Sequence, residues 1–105
     1  MLSKELKAEI KKRLTSKFDI EKIILFGSQA RGTANTHSDV DLLIIAKNVR
    51  HRLKLIDQMD LSLEGLKLAR DIIVVSDAEY ESQKFIPGTI SRYAHLDGKV
   101  LYAKR

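Results

Sequence analysis

The sequence predicts a single α+β domain over residues 1–105, α/β-like in its alternation, with a mixed β-sheet flanked by helices. Three observations predict it. The runs IEKIILF, VDLLIIA and ARDIIVV are β-branched and almost continuously apolar, as strands are when a sheet is covered on at least one face. The segments between them carry apolar residues at helical spacing. Finally, 105 residues with 44% hydrophobic content suit one compact core and leave little room for a second.

The elements follow in order. Residues 3–17 read as an amphipathic helix, because Leu6, Ile10 and Leu14 recur four apart with lysines between them. Residues 20–26 form a strand that stops at Gly27, and residues 28–32 (SQARG) can make a helical turn. Residues 40–46 form a second strand. Residues 49–66 read as a longer helix with Leu53, Ile56 and Met59 on its inner side. Residues 69–75 form a third strand, after which Ser76 caps a helix with Glu79 placed as in a capping box. Pro87 and Gly88 make a turn, residues 89–96 a short helix, and residues 99–103 a last strand after the Asp97–Gly98 turn.

Composition narrows the chemistry. With no cysteine, disulfides, thiolate zinc sites and cysteine nucleophiles are excluded. The longest apolar run, from Leu42 to Ala46, is too short to span a bilayer, and no secretory signal is visible. No membrane partner and a cytoplasmic location are therefore expected. Nineteen Lys plus Arg against fourteen Asp plus Glu give +5, which favours anionic partners. The lysines are spread over several segments, so the sequence reads as a solvated basic surface and nucleic acid is not an expected partner. His51 and His95 read as surface residues, His37 as a loop residue, Lys4, Lys7 and Lys11 as a solvated face, and Tyr80, Tyr93 and Tyr102 as packing residues.

Three aspartates stand where a core should begin. Asp39 and Asp41 open the second strand and, two apart, project to one face. Asp71 opens the third strand, and if that strand lies alongside, its carboxylate arrives from roughly 5 Å away. Taken singly, each also reads as a strand-end cap or a partner of Arg31 or Arg70. Together, three ionised carboxylates repel one another, and a divalent cation removes the conflict. Such a set can hold two ions roughly 3.5–4 Å apart.

Gly27 and Ser28 supply a complementary feature. Glycine lets backbone approach a ligand closely, and a helix amino terminus after it would seat a phosphate. Arg31, one turn later, can reach phosphate or carboxylate. The turn lacks the Gly-Lys-Ser/Thr of a Walker loop.

The composite FGSQARGTANTHSDVDLLII resembles the minimal nucleotidyltransferases of the DNA polymerase β superfamily, whose signature is Gly-Ser, about ten residues, then Asp-x-Asp opening a strand, with a third acidic residue on a later strand. The resemblance covers essentially the whole chain and implies a polymerase β palm-like fold. By that resemblance Gly27 and Ser28 hold the triphosphate, Arg31 and Ser38 lie at the nucleotide, Asp39 and Asp41 bind metal, and Asp71 completes the catalytic and metal-binding set. It implies two Mg²⁺ ions and transfer of a nucleoside monophosphate, with ATP as the expected donor. A short member without an acceptor domain resembles the nucleotidyltransferase half of two-gene pairs whose other half is a small helical protein of the HEPN type. That implies a tyrosine of such a partner as acceptor, an antitoxin role, and a homo- or hetero-oligomer. A silent module that neutralises its partner by contact, and an aminoglycoside-type small-molecule nucleotidyltransferase, are the alternatives.

Overall fold

The computed structural model describes residues 2–27 and 40–104. Ser28, Arg31, His37, Ser38 and Asp39, with the expected turn at 28–32, lie outside the described residues. Among those described are four helices and four strands: α1 (Lys4–Thr15), β1 (Ile20–Phe26), β2 (Val40–Ala46), α2 (Arg52–Ser62), β3 (Arg70–Ser76), α3 (Asp77–Gln83), α4 (Ile90–Asp97) and β4 (Lys99–Ala103).

The strands form one sheet in the order β3-β2-β1-β4. β1 pairs antiparallel with both β2 and β4, and β2 pairs parallel with β3, so the sheet is mixed as expected. A parallel pair cannot be joined by a hairpin, and α2 supplies the crossover. Alternation sorts the side chains. Ile23 and Leu25 of β1, Leu42, Ile44 and Ala46 of β2 and Val74 of β3 join Ile10 and Leu14 of α1 and Met59 of α2 in one cluster. Ile24, Leu43, Ile45 and Val75 point the other way and pack with Tyr80 of α3 and Ala94 of α4. β2 therefore lies between two apolar layers, which explains its unbroken hydrophobic run.

Local chemistry fixes most helix ends. Ser3 accepts from Leu6 N–H at 3.0 Å, and Thr89 accepts from Arg92 N–H at 3.0 Å. The capping box at α3 is complete: Ser76 Oγ accepts from Glu79 N–H at 3.0 Å, and Glu79 Oε1 accepts from Ser76 N–H at 2.8 Å. That backbone N–H, with the Arg52 guanidinium 2.6 Å away, holds the Glu79 carboxyl below the usual carboxylate value.

Three expectations need correction. The helix read over 49–66 spans only Arg52–Ser62; Gly65 (φ +92°) and Lys67 (φ +34°) take left-handed backbone that a helix cannot include. Its inner side carries Leu55, Ile56 and Met59, whereas Leu53 is 78% exposed. The spacing of Leu53, Ile56 and Met59 is helical, but the buried stripe is shifted sideways to take in Leu55 in place of Leu53. Tyr93, read as packing, is 59% exposed, while Tyr80 is buried and Tyr102 half-buried. His51 and His95 are exposed.

Candidate functional site

The topology brings three sequence features to one end of the sheet. β1 ends where β2 and β3 begin, because β1 is antiparallel to β2 and β2 is parallel to β3. Asp41 and Asp71 are register partners across the parallel pair, and Phe26 is the partner of Asp41 across the antiparallel one. Neighbouring strands lie about 4.8 Å apart, so the two aspartate backbones are adjacent. The side chains share a face: Leu43, Ile45, Ile73 and Val75, at even spacing from the aspartates, all belong to the layer under α3 and α4.

Gly27 closes the arrangement from the third strand. Its φ is +78°, a left-handed conformation that ends β1 in a tight turn. A Cβ built there would run into the Asp41 carboxylate, with the Asp41 Cγ 3.2 Å and Cβ 3.6 Å away. Glycine is thus required twice, once by the backbone and once by the space the Asp41 carboxylate occupies. Asp41 is partly buried beside Phe26, whereas Asp71 is exposed at the strand mouth.

Arg70 does not neutralise its neighbour. Its guanidinium donates to Asp60 Oδ1 at 2.8 Å, to Asp60 O at 2.9 Å and to Leu68 O at 3.1 Å, which ties β3 to α2. The reading of Asp71 as an Arg70 partner is therefore wrong; the arginine is engaged on the opposite face. Two carboxylates on adjacent strands, with no arginine among the described residues taking up Asp71, are the kind of hard-oxygen pair that suits a divalent cation. Among the described residues no group of three or more potential ligands gathers, since Asp39 falls outside them. Asp41 and Asp71 are of the donor type that fits such an ion, and the missing side chain at Gly27 leaves room for the Asp41 carboxylate.

A feature the sequence reading passed over borders this end. In α4 the small residues Ser91 and Ala94 face the sheet, and Ile90, Tyr93 and Leu96 face out at 42%, 59% and 60% exposure. Phe85, Ile86 and Val100 extend the apolar area, with Phe85 edge-on to the His95 ring at 5.2 Å. Gly98 packs tightly on Ile24, and Lys99 pairs with Leu25, so the end of α4 descends one residue from Phe26. The inverted pattern, small residues inside and large ones outside, was the available signal.

Comparison with known proteins gives a consistent placement. A family model described as "Nucleotidyltransferase domain" matches residues 7–94. Over 56 residues the chain is 48% identical to "Putative protein adenylyltransferase MJ1305" of Methanocaldococcus jannaschii, a match covering 53% of this chain and 32% of that protein's length. Among solved structures, the fold is similar to a toxin-antitoxin with AMP-PNP, at a TM-score of 0.64 and 21% identity, covering 94% of this chain and 74% of that one. It is also similar to a chain in the complex of the tri-AMPylated Shewanella oneidensis HEPN toxin with the MNT antitoxin, at a TM-score of 0.54 and 18% identity over 92% and 69%.

Proposed function

We propose that this chain, which belongs to the nucleotidyltransferase domain family, transfers AMP from ATP to a hydroxyl of a partner protein, a tyrosine of a HEPN-type helical protein. The observation that carries the reading is the in-register pair Asp41 and Asp71 beside a glycine whose missing side chain leaves room for the Asp41 carboxylate.

In this reading Asp41 and Asp71, with Asp39, hold Mg²⁺, which when bound offsets the charge of the triphosphate and of the departing pyrophosphate. Gly27 and Ser28 hold the phosphates, with Arg31 and Ser38 near the nucleotide. The exposed Asp71 stands on the strand farthest from the Gly27 turn, which suits it to the acceptor side. There its carboxylate orients the hydroxyl and takes its proton. The acceptor oxygen forms a bond to the α-phosphorus, and the bond from that phosphorus to the bridging oxygen breaks, releasing pyrophosphate. Positioning supplies most of what so small a protein can add.

Two features support a protein acceptor over an aminoglycoside-type small molecule. The apolar stripe of α4, continued by Val100, ends where Lys99 pairs with Leu25, toward the carboxylate end of the sheet, and contiguous exposed apolar side chains favour protein contact. The similar protein of Methanocaldococcus jannaschii is named for protein adenylylation, and the solved neighbours include complexes with a HEPN toxin. An antitoxin role and a hetero-oligomer follow from that context.

The test uses ATP labelled at the α-phosphate, Mg²⁺ and a HEPN-type partner. Label should appear on the partner with the wild-type chain and vanish with Asp41→Asn combined with Asp71→Asn. Transfer that persists in the double variant refutes the reading. Partner neutralisation that persists without transfer replaces it with the silent binding module.

A further inference from the structure

A second charged region lies at the other end of the sheet and plays no part in the proposed chemistry. β1 begins opposite the end of β2, with Ile20 paired to Ala46. The chain entering β1 (Lys17, Phe18) and the chain leaving β2 (Asn48, Arg50) therefore meet there. Two concavities adjoin at this end. One, of about 340 Å³, is lined by Asn48, Arg50, His51, Lys54, Leu55 and Gln58. The other, of about 200 Å³, includes Lys17, Phe18, Asp19, Asn48, Leu55 and Met59. They share Asn48 and Leu55 and so form one groove.

The charge along it is one-sided. Residues 47–54 (KNVRHRLK) hold four of the nineteen Lys and Arg, and no acid occurs between Asp41 and Asp57. Of these four, Arg52 is paired with Glu79, while Lys47, Arg50 and Lys54 make no ion pair among the described residues, nor does Lys17. Asp19, the one acid in the lining, is engaged by Lys104 at 3.0 Å, and the exposed Asp57 makes no ion pair among the described residues. Lys54 also occupies the first turn of α2, where the helix dipole disfavours cations and the turn itself carries no acid. Such an arrangement costs stability unless an anion joins it.

We infer that this groove binds the phosphodiester backbone of a nucleic acid strand. Three cations without an ion pair among the described residues, Lys17, Arg50 and Lys54, strung along two joined concavities match a repeating anion better than a single phosphate. Arg50 presents the planar fork that pairs with phosphate oxygens. Asn48 and Gln58 add amide donors and acceptors of the kind base edges use, and Phe18 and Leu55 offer apolar walls to a sugar or base. A row of carboxylates on a protein would use the cations and leave the amides and walls idle. The expectation of a merely solvated basic surface is revised at this one place, because folding gathers cations from two chain segments.

The experiment is fluorescence anisotropy of a labelled single-stranded oligonucleotide of mixed sequence with the full chain. Three phosphate contacts predict that log K falls with log salt concentration at a slope of about −2.1. Arg50→Glu with Lys54→Glu should weaken binding at least about tenfold, whereas Lys4→Glu with Lys11→Glu, the same charge change on α1, should cost under about threefold. Unchanged melting of both variants establishes that each is folded. Equal loss in both pairs, or no binding at about 50 mM salt, overturns the inference. Competition by polyglutamate at matched charge overturns it in favour of an acidic protein surface. Competition by ATP or inorganic phosphate at matched phosphate concentration overturns it in favour of a single-phosphate pocket. Mg²⁺-dependent label transfer is scored separately, so failure here leaves the proposed transfer standing.

Discussion

The two faces of the sheet are built to different specifications. Under α1 and α2, among the described residues, one cluster holds twelve buried side chains, including Ile10, Leu14, Leu42, Ile44 and Met59 at no measurable exposure. Under α3 and α4 the corresponding cluster holds six, and the helices above it are shorter. The first face concentrates the burial that keeps the domain folded. The second can then leave large side chains of α4 in solvent and put two aspartates at its edge. A small domain with little stability to spare separates the two tasks by face.

The largest expected effect breaks that comparison directly. Leu14→Ala removes a fully buried side chain from the thick face and should cost about 2–5 kcal/mol. At about 4–8 °C per kcal/mol for a domain of this size, melting should fall by about 8 °C or more. Leu96→Glu, at 60% exposure on the thin face, should stay within about 0.5 kcal/mol of wild type yet weaken association with the proposed HEPN-type partner. Equal destabilisation by the two substitutions would show that the faces share the structural load.

A smaller effect sharpens the account of how the thin face is held. Ser76→Ala removes the cap of α3 and should cost about 1 kcal/mol. The Glu79 side of the same box adds a pH dependence. Its folded carboxyl lies below the usual value of 4.5, through the Ser76 N–H first and Arg52 second, so it contributes stability above that value. The contribution is lost as pH falls through the depressed folded value. Thermal melts of wild type and Glu79→Gln should therefore differ at neutral pH and converge in acid. A constant difference would mean that the carboxylate charge plays no part.

Much of this was legible in the sequence, and the failures have physical causes. The spans of β1, β2 and β4 coincide with their apolar runs because each run is bounded by a turn or a charge. The Ser76 box was readable because both partners are local. The end of α2 was missed because it depends on the left-handed backbone at Gly65 and Lys67. Leu53 was misjudged because spacing defines a stripe but not which of two adjacent stripes meets α1. At the site, an aspartate opening each of two strands was visible, whereas their registry depends on strand order. The gathering of Lys17 with Arg50 and Lys54 likewise needed the fold. Ser28, Arg31, Ser38 and Asp39 lie outside the described residues and stand on the motif alone.

Thermal melting with ATP and Mg²⁺ tests the carboxylate pair most directly, since it needs no acceptor. With ligand at 100 times its dissociation constant, binding should stabilise the wild-type chain by about 2.7 kcal/mol. The gain should disappear when Mg²⁺ is chelated, and also in Asp41→Asn combined with Asp71→Asn. An undiminished gain in that folded double variant would contradict the assignment of a metal-dependent nucleotide site to these two strands.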